Sequence, residues 1–438
     1  MDWREEYKKK TVSADEALKA VKSGDRVAFS PGMEPLSLGL ALAARKDELR
    51  DVKIFILGPG RIFDWYEPGW EESFAIEISY VVPVVRKMFA EKRCDYLVSS
   101  LFCTYPPEIR GIDVLLTEVS APDDNGFCSF GAMLWDKRTQ VKGSKIVIAD
   151  VNPNLIRTRG ENFVHVSEID CFVEHISSGT SPGKRGSLGK KTLEVGEEIK
   201  RIAQHVSTLI RDGDTIEVGV GTGTEYLAGL GIFDDKKDLG WHSEQTSRGI
   251  INLVRKGVIT GKHKALHRGK AVATAFVGSP KEDMDFVNEN PLFELHTGEH
   301  ILDPRVIAAH DNMVAINSIL SIDLTGQISA ESIGPRMLSG TGGLLAFAMG
   351  ATLSKGGRFI VVLPSTAKGG TLSRIVPMFE QGTTVSVPRV LTDYVVTEYG
   401  IAGLKGKTQR ERAFELISIA HPDFRSGLEK EAKKLYWP

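Results

Sequence analysis

The sequence predicts an α/β protein of two similar open α/β domains with mostly parallel sheets. Three observations lead there. Short, nearly continuous apolar runs alternate with helical segments along all 438 residues, the pattern of parallel strands covered on both faces. A succession of helix, Gly-Asp, strand and glycine turn occurs twice. A stretch rich in glycine, proline and small polar residues separates the two occurrences.

The first occurrence opens at Ser13-Ala14-Asp15-Glu16, a capping-box pattern followed by apolar Ala17, Leu18 and Val21. Gly24-Asp25 leads to a strand over Arg26–Phe29 and the turn Ser30-Pro31-Gly32. In the second, a helix over 197–211 puts Ile199, Ile202, Ala203, Val206 and Ile210 on one face. Gly213-Asp214, a strand over Thr215–Val218 and the turn Gly219-Val220-Gly221-Thr222-Gly223 follow. The offset is 189 positions for Gly24 and Gly213, Asp25 and Asp214, and Gly32 and Gly221, which favours a duplicated fold. Further strands are expected at 52–57, 114–119, 145–149, 313–316, 359–363 and 394–397. Residues 177–191 hold five glycines or prolines among Ser, Thr and Lys and make the best linker. The expected domains are therefore 1–185 and 186–438. In such sheets ligands bind at the carboxyl ends of the strands.

Composition narrows the function. Hydrophobic residues at 42% and charged residues at 26% suit a globular chain rather than a disordered one. With 55 basic against 57 acidic residues and no long basic run, no nucleic-acid partner is expected. The apolar runs are far shorter than the ~20 residues of a membrane helix, and Met1-Asp2-Trp3-Arg4-Glu5-Glu6 lacks the apolar segment of a secretory signal. Cys94, Cys103, Cys128 and Cys171 show no CxxC pairing. They read as reduced thiols in a cytoplasmic protein, small buried hydrophobes rather than nucleophiles. No metal site is expected: the ten histidines show no HExxH arrangement. His263 and His267 could share a helix face for zinc only if their Lys-rich segment were helical.

Chemistry concentrates in the second half. The turn at 219–223 is no dinucleotide fingerprint, since Thr224 stands at the last glycine position, and it lacks the Lys of a phosphate-binding loop. Ser339-Gly340-Thr341-Gly342-Gly343-Leu344 suits either a close approach of bare backbone to a ligand or a tight turn beneath a helix. The loop at 363–371, with Lys368, suits a phosphate or pantetheine arm, or is a plain connection. Glu244, in Gly240-Trp241-His242-Ser243-Glu244-Gln245, is a carboxylate placed after a turn of exposed amides. Such a group can attack an activated acyl carbon while the amides hold the resulting oxyanion.

The run from Gly240-Trp241-His242-Ser243-Glu244 through Gly257-Val258-Ile259-Thr260-Gly261-Lys262 resembles the acetyl-CoA hydrolase/transferase family. So do Asn312-Met313-Val314-Ala315-Ile316-Asn317-Ser318, Asp323-Leu324-Thr325-Gly326-Gln327, Val396-Thr397-Glu398-Tyr399-Gly400 and His421-Pro422-Asp423-Phe424-Arg425. In the first half Val119-Ser120, Gly126-Phe127-Cys128-Ser129 and Val166-Ser167-Glu168-Ile169-Asp170 are similar too.

The resemblance implies two domains of the CoA-transferase (NagB/RpiA-like) type. It also implies a ping-pong exchange of CoA between an acyl-CoA and a small carboxylic acid. Glu244 would be the nucleophile, carrying CoA as a γ-glutamyl thioester. The amides of Gly223 and Gly343 would form the oxyanion hole. Gly219, Val220, Gly221, Thr222 and Gly223 would line the CoA site with Ser339, Gly343 and Lys368. No permanent cofactor is implied, CoA being substrate and covalent intermediate, and a homodimer or larger homo-oligomer is expected. His242 reads as a structural histidine, because an ionised carboxylate needs no base.

Two segments depart from the family pattern. Gly342-Gly343-Leu344-Leu345-Ala346-Phe347 stands where most relatives have Gly-Gly-Gln-x-Asp-Phe, and Thr222-Gly223-Thr224 replaces an Ala-Ile-Pro-like run. The first change suggests an acyl group less polar than 4-hydroxybutyrate, since a lost hydrogen-bond partner penalises a buried hydroxyl. Acyl-CoA hydrolysis and a non-catalytic CoA-binding module are the alternatives.

Overall fold

The structure is a computed structural model that describes residues 2–99, 111–176, 195–221, 223–247, 249–277 and 280–438. The linker expected at 177–191, Cys103 and Thr222 lie outside the described residues. The chain divides into two compact units, Met1–Lys191 with Pro280–Glu299, and Thr192–Ser279 with His300–Pro438.

In the first unit the strands are β1 (Thr11–Val12), β2 (Arg26–Phe29), β3 (Val52–Ile56), β4 (Phe74–Ile78), β5 (Cys94–Tyr96), β6 (Ile112–Val119), β7 (Ser144–Val151) and β8 (Cys171–Glu174). They form one sheet in the order β1-β8-β7-β6-β2-β3-β4-β5, with every neighbouring pair parallel. Its centre is apolar and sealed, with Val27, Ala28, Phe29, Leu115 and Leu116 all at 0% exposure. Helices α1 (Ala14–Leu18) and α2 (Leu36–Ala44) flank β2 in the chain. Only half of the expected capping box forms. Ser13 accepts from the Glu16 N–H, but the Glu16 carboxylate takes Lys19 as its partner instead of reaching back to the cap.

The second unit repeats this plan. Helix α3 (Glu197–Ser207) leads to β9 (Thr215–Val218), followed by β10 (Gly240–Thr246), β11 (Ala271–Phe276) and β12 (Met313–Ser318). Helix α4 (Leu344–Leu353) then precedes β13 (Arg358–Val362), β14 (Tyr394–Thr397) and β15 (Gly400–Gly403). Their order is β15-β14-β13-β12-β9-β10-β11, parallel except for the β14–β15 edge hairpin. The helix expected to reach residue 211 stops at Ser207. Asp214 draws the chain away, its carboxylate accepting from the Arg211 N–H at 2.6 Å.

The duplication extends to atoms. Gly24 and Gly213 both take a left-handed φ, +83° and +76°, which glycine alone adopts without cost. Asp25 accepts from the Lys22 N–H at 2.7 Å as Asp214 does from Arg211. Each turn feeds a central strand, β2 between β6 and β3, β9 between β12 and β10. The third glycine pair differs in its reason. Gly32 has φ +122°, whereas Gly221 is needed for space, since a side chain there would meet Ser318 Cβ at 2.7 Å.

Candidate active site

The glycine turn after β9, Glu244 on β10 and the start of α4 all lie at the carboxyl ends of the parallel strands of the second unit. Ile216 pairs with Trp241 across β9 and β10. Continuing that ladder aligns Glu217 with His242, and Glu244 stands two residues further on, on the same face. Gly219 N–H donates to Ile316 O at 2.9 Å, so the turn begins locked to β12.

Glu244 is half-buried, and its Oε2 accepts from the Gly343 N–H at 2.6 Å. Gly343 is the N-cap of α4, whose N-terminal amides project a positive potential. Burial pushes the Glu244 carboxyl up to about 7, against the opposing pull of the Gly343 N–H and the Gln245 side chain. Desolvation therefore outweighs the helix terminus. A side chain at Gly343 would overlap Glu244 Oε2 and lie 2.7 Å from Leu302 Cδ2. The second glycine element is thus a helix start that brings bare backbone against the Glu244 carboxylate.

Gly223 N–H points at Ser318 Oγ over a long 3.4 Å, and Thr224 anchors the turn through its hydroxyl on Gly219 O. Gly221 is part-exposed and Val220 is exposed. Ser339 is part-exposed and donates its N–H to Glu331 O at 3.1 Å. Lys368 is exposed, with φ +49°, in the hairpin turn between Thr366–Ala367 and Leu372–Ser373. The structure brings Glu244 and Gly343 together; no hydrogen bond or ion pair joins Lys368 or Ser339 to either of them among the described residues.

Leu344 and Leu345, expected in an apolar pocket wall, are half-buried in the first turn of α4, whereas Ala346 and Phe347 belong to the core. The Phe347 ring stands edge-on to His242, centroids 6.3 Å apart. His242 is fully buried and engages Ile301 O at 2.8 Å through Nε2. Burial, then the neighbouring His310, holds it well below the usual imidazole range, so it stays neutral. Glu398 accepts from Ser365 N–H at 2.9 Å and from its hydroxyl, pinning the loop that carries Lys368. The helix face imagined for His263 and His267 does not exist, because residues 261–270 form turns and bends.

Two residues escaped the sequence reading. Glu217 on β9 is 1% exposed, and Asn317 Nδ2 donates to its Oε2 at 2.8 Å. Burial, then the Glu244 charge, drives the Glu217 carboxyl well above the usual carboxylate range. The signal was present: an acid inside Thr215-Ile216-Glu217-Val218, a strand expected to be covered on both faces.

Comparison with known proteins converges on one family. The acetyl-CoA hydrolase/transferase N-terminal domain matches residues 1–179 and its C-terminal domain residues 280–432. The 4-hydroxybutyrate coenzyme A transferase of Clostridium kluyveri is 40% identical over the whole of both chains, and so spans the Glu244 segment between the two matched domains. The succinyl-CoA:cyclohexane-1-carboxylate CoA transferase of Geobacter metallireducens is 36% identical over 99% of this chain and 97% of its own. The crystal structure of RipA from Yersinia pestis superposes with a TM-score of 0.89 at 30% identity, covering the whole of both chains.

Proposed function

Because the chain belongs to the acetyl-CoA hydrolase/transferase family, we propose that it is a CoA-transferase that works by a ping-pong mechanism with Glu244 as nucleophile. The ionised carboxylate attacks the acyl-CoA thioester carbon and expels CoA thiolate, leaving an acyl–glutamyl anhydride. The thiolate then attacks the glutamyl carbonyl, releasing the first acid and forming a γ-glutamyl-CoA thioester. A second carboxylate runs the steps in reverse. The acyl group stays activated throughout, so no ATP is consumed, and each difficult exchange is split into easier ones.

The observation that carries this reading is the 2.6 Å bond from the Gly343 N–H to Glu244 Oε2. It supports a nucleophile held against a backbone donor at a strand end. Once Glu244 attacks, its charge passes to the former thioester oxygen, and the Gly343 and Gly223 amides are the donors we assign to it. Gly219, Val220, Gly221, Thr222, Ser339 and Lys368 are the proposed CoA contacts. The acids we propose are acetate and short-chain carboxylates of the butyrate or 4-hydroxybutyrate type, shifted toward less polar chains by Leu344 and Leu345. We further propose a cytoplasmic homodimer or larger homo-oligomer; no helix among the described residues is long and apolar enough to cross a membrane.

The test is to incubate the protein with acyl-CoA, trap with borohydride and locate the modified peptide by mass. Modification at Glu244, lost in Glu244→Gln, is the expected result; labelling elsewhere overturns the assignment. CoA release measured with and without added carboxylate separates transfer from hydrolysis.

A further inference from the structure

The carboxyl ends of β12, β9 and β10 present one row of positions, Asn317, Gly219 and Glu244, with Glu217 one step back on the same face. Thr215 through Val218 pair with Met313 through Ile316, so the ladder continues from Gly219 to Asn317. The middle position of the row has no side chain. A methyl group at Gly219 would collide with Asn317 Oδ1 and lie 3.3 Å from Glu217 Oε1. The Asn317 amide and the Glu217 carboxyl therefore converge beneath the space that the glycine leaves open, beside the nucleophile.

We propose that Glu217 is a positioning residue, clamping Asn317 under the bare backbone of Gly219 and so fixing the floor on which the acyl-CoA carbonyl meets Glu244. The proposal rests on the reading of Glu244 as the nucleophile. Two carboxylates facing one partly dry space do not both ionise at neutral pH, and Glu244 must carry the charge to attack. Glu217 is then the neutral acid. The hydrogen bond from Asn317 Nδ2 to its Oε2 at 2.8 Å suits that state, because a carboxylic acid still offers a carbonyl oxygen. Among the described residues, the charged group that acts on Glu217 is Glu244, and the neutral His242 shares its face of the sheet, both on β10. β12 contributes Asn317, and α4, reading Leu344-Leu345-Ala346-Phe347-Ala348-Met349-Gly350-Ala351-Thr352-Leu353, carries no ionisable residue. When Glu217 loses its proton, at a pH well above the usual carboxylate range, a second negative charge faces the carbon where the oxyanion develops, and turnover falls.

The experiment uses Glu217→Ala, Glu217→Gln, Asn317→Ala and the double variant Glu217→Ala/Asn317→Ala, assayed with butyryl-CoA and acetate. Glu217→Ala should lose at least about tenfold in kcat while the acyl-CoA KM moves by no more than about threefold, because the loss concerns alignment rather than grip. The Gln variant should restore most of that loss, since its amide oxygen accepts from Asn317. It should also lack the alkaline decline of the wild type. In the Asn317→Ala background, removing Glu217 should cost little more, the signature of two residues acting as one unit. A folded Glu217→Ala with wild-type kcat, a Gln variant no better than Ala, or independent losses in the cycle would each overturn the proposal. Should the Ala variant fail to fold, the pH profile of Glu217→Gln decides alone: an alkaline limb unchanged from wild type rejects it. Borohydride trapping on wild type keeps the two readings apart. No adduct at Glu244 rejects the nucleophile, whereas an adduct with indifferent Glu217 variants rejects only the positioning role.

Discussion

Gly343→Ala is the sharpest perturbation of the site. Its methyl group would occupy the place of Glu244 Oε2 and press on Leu302 Cδ2, 2.7 Å away. Overpacking of that kind costs about 1–3 kcal/mol of stability. The catalytic loss should be larger. To make room, Glu244 swings away from the Gly343 N–H that it contacts at 2.6 Å, and the proposed oxyanion loses one aligned donor. Removing such a donor raises the barrier by about 2.7–4 kcal/mol, or about 100- to 1,000-fold in kcat at ~1.4 kcal/mol per decade. Circular dichroism melts establish that the variant is folded, and CoA transfer from butyryl-CoA to acetate, followed by chromatography, gives kcat and KM. A folded Gly343→Ala protein with kcat within about threefold of wild type would refute the reasoning, because displacement of the proposed nucleophile and loss of the proposed donor must both appear in turnover.

The same geometry governs pH dependence, stability and substrate preference. With Glu244 at about 7, kcat/KM for acyl-CoA should rise with unit slope from acid pH and level off above about pH 7; a plateau extending down to the ordinary range near 4.5 would exclude Glu244 as the titrating nucleophile. The same shift affects stability. A carboxyl raised in the folded state contributes stability that is whole below about pH 4.5 and lost as pH rises through 7. The Tm advantage of Glu244→Gln over wild type should therefore be greater near pH 8 than near pH 5. The twin aspartates should differ. Asp214 (2% exposed) pairs with Arg358 (6% exposed), so Asp214→Ala strands a buried guanidinium at about 3–5 kcal/mol, whereas Asp25→Ala costs about 1 kcal/mol for its turn bond; urea midpoints measure both. On a substrate panel, butyrate should exceed 4-hydroxybutyrate by about tenfold in kcat/KM, and preference for the hydroxylated acid would sink the assignment of Leu344 and Leu345.

What was legible in the sequence depended on how local its cause is. Strands β2 and β9 were read to the residue, because Gly-Asp turns with left-handed glycines start both and glycine turns end both. The end of α3 was not, since Ile210 keeps the apolar period running after Asp214 has captured the Arg211 amide. The contact of Glu244 with Gly343 spans 99 positions, and no periodicity encodes such a distance; resemblance to a family named both residues but not their contact. Lys368, named by resemblance, sits exposed on a hairpin turn of its own. Glu217 was overlooked because strand patterning treats one acid in an apolar run as noise. Burial on both faces makes it the most expensive residue of that strand, and so the one most in need of a reason.

The raised pKa of Glu244 bears on why a carboxylate works here at all. In the first exchange that we propose, a carboxylate displaces a thiolate, whose conjugate acid sits at ~8.5 by analogy with a cysteine thiol. An ordinary glutamate, at about 4.5, is much the weaker base, so anhydride formation runs uphill by roughly that gap. Burial that lifts Glu244 to about 7 closes more than half of it. The lift cannot be made freely, because a fully dry carboxylate would stay protonated and inert at neutral pH. The Gly343 N–H at the start of α4 sets the limit, stabilising the anion enough that a large fraction is ionised near pH 7 while leaving it basic. In the proposed mechanism that donor would also be freed in time: as the carboxylate charge is spent on the new bond, the amide would be left facing the oxyanion beside it.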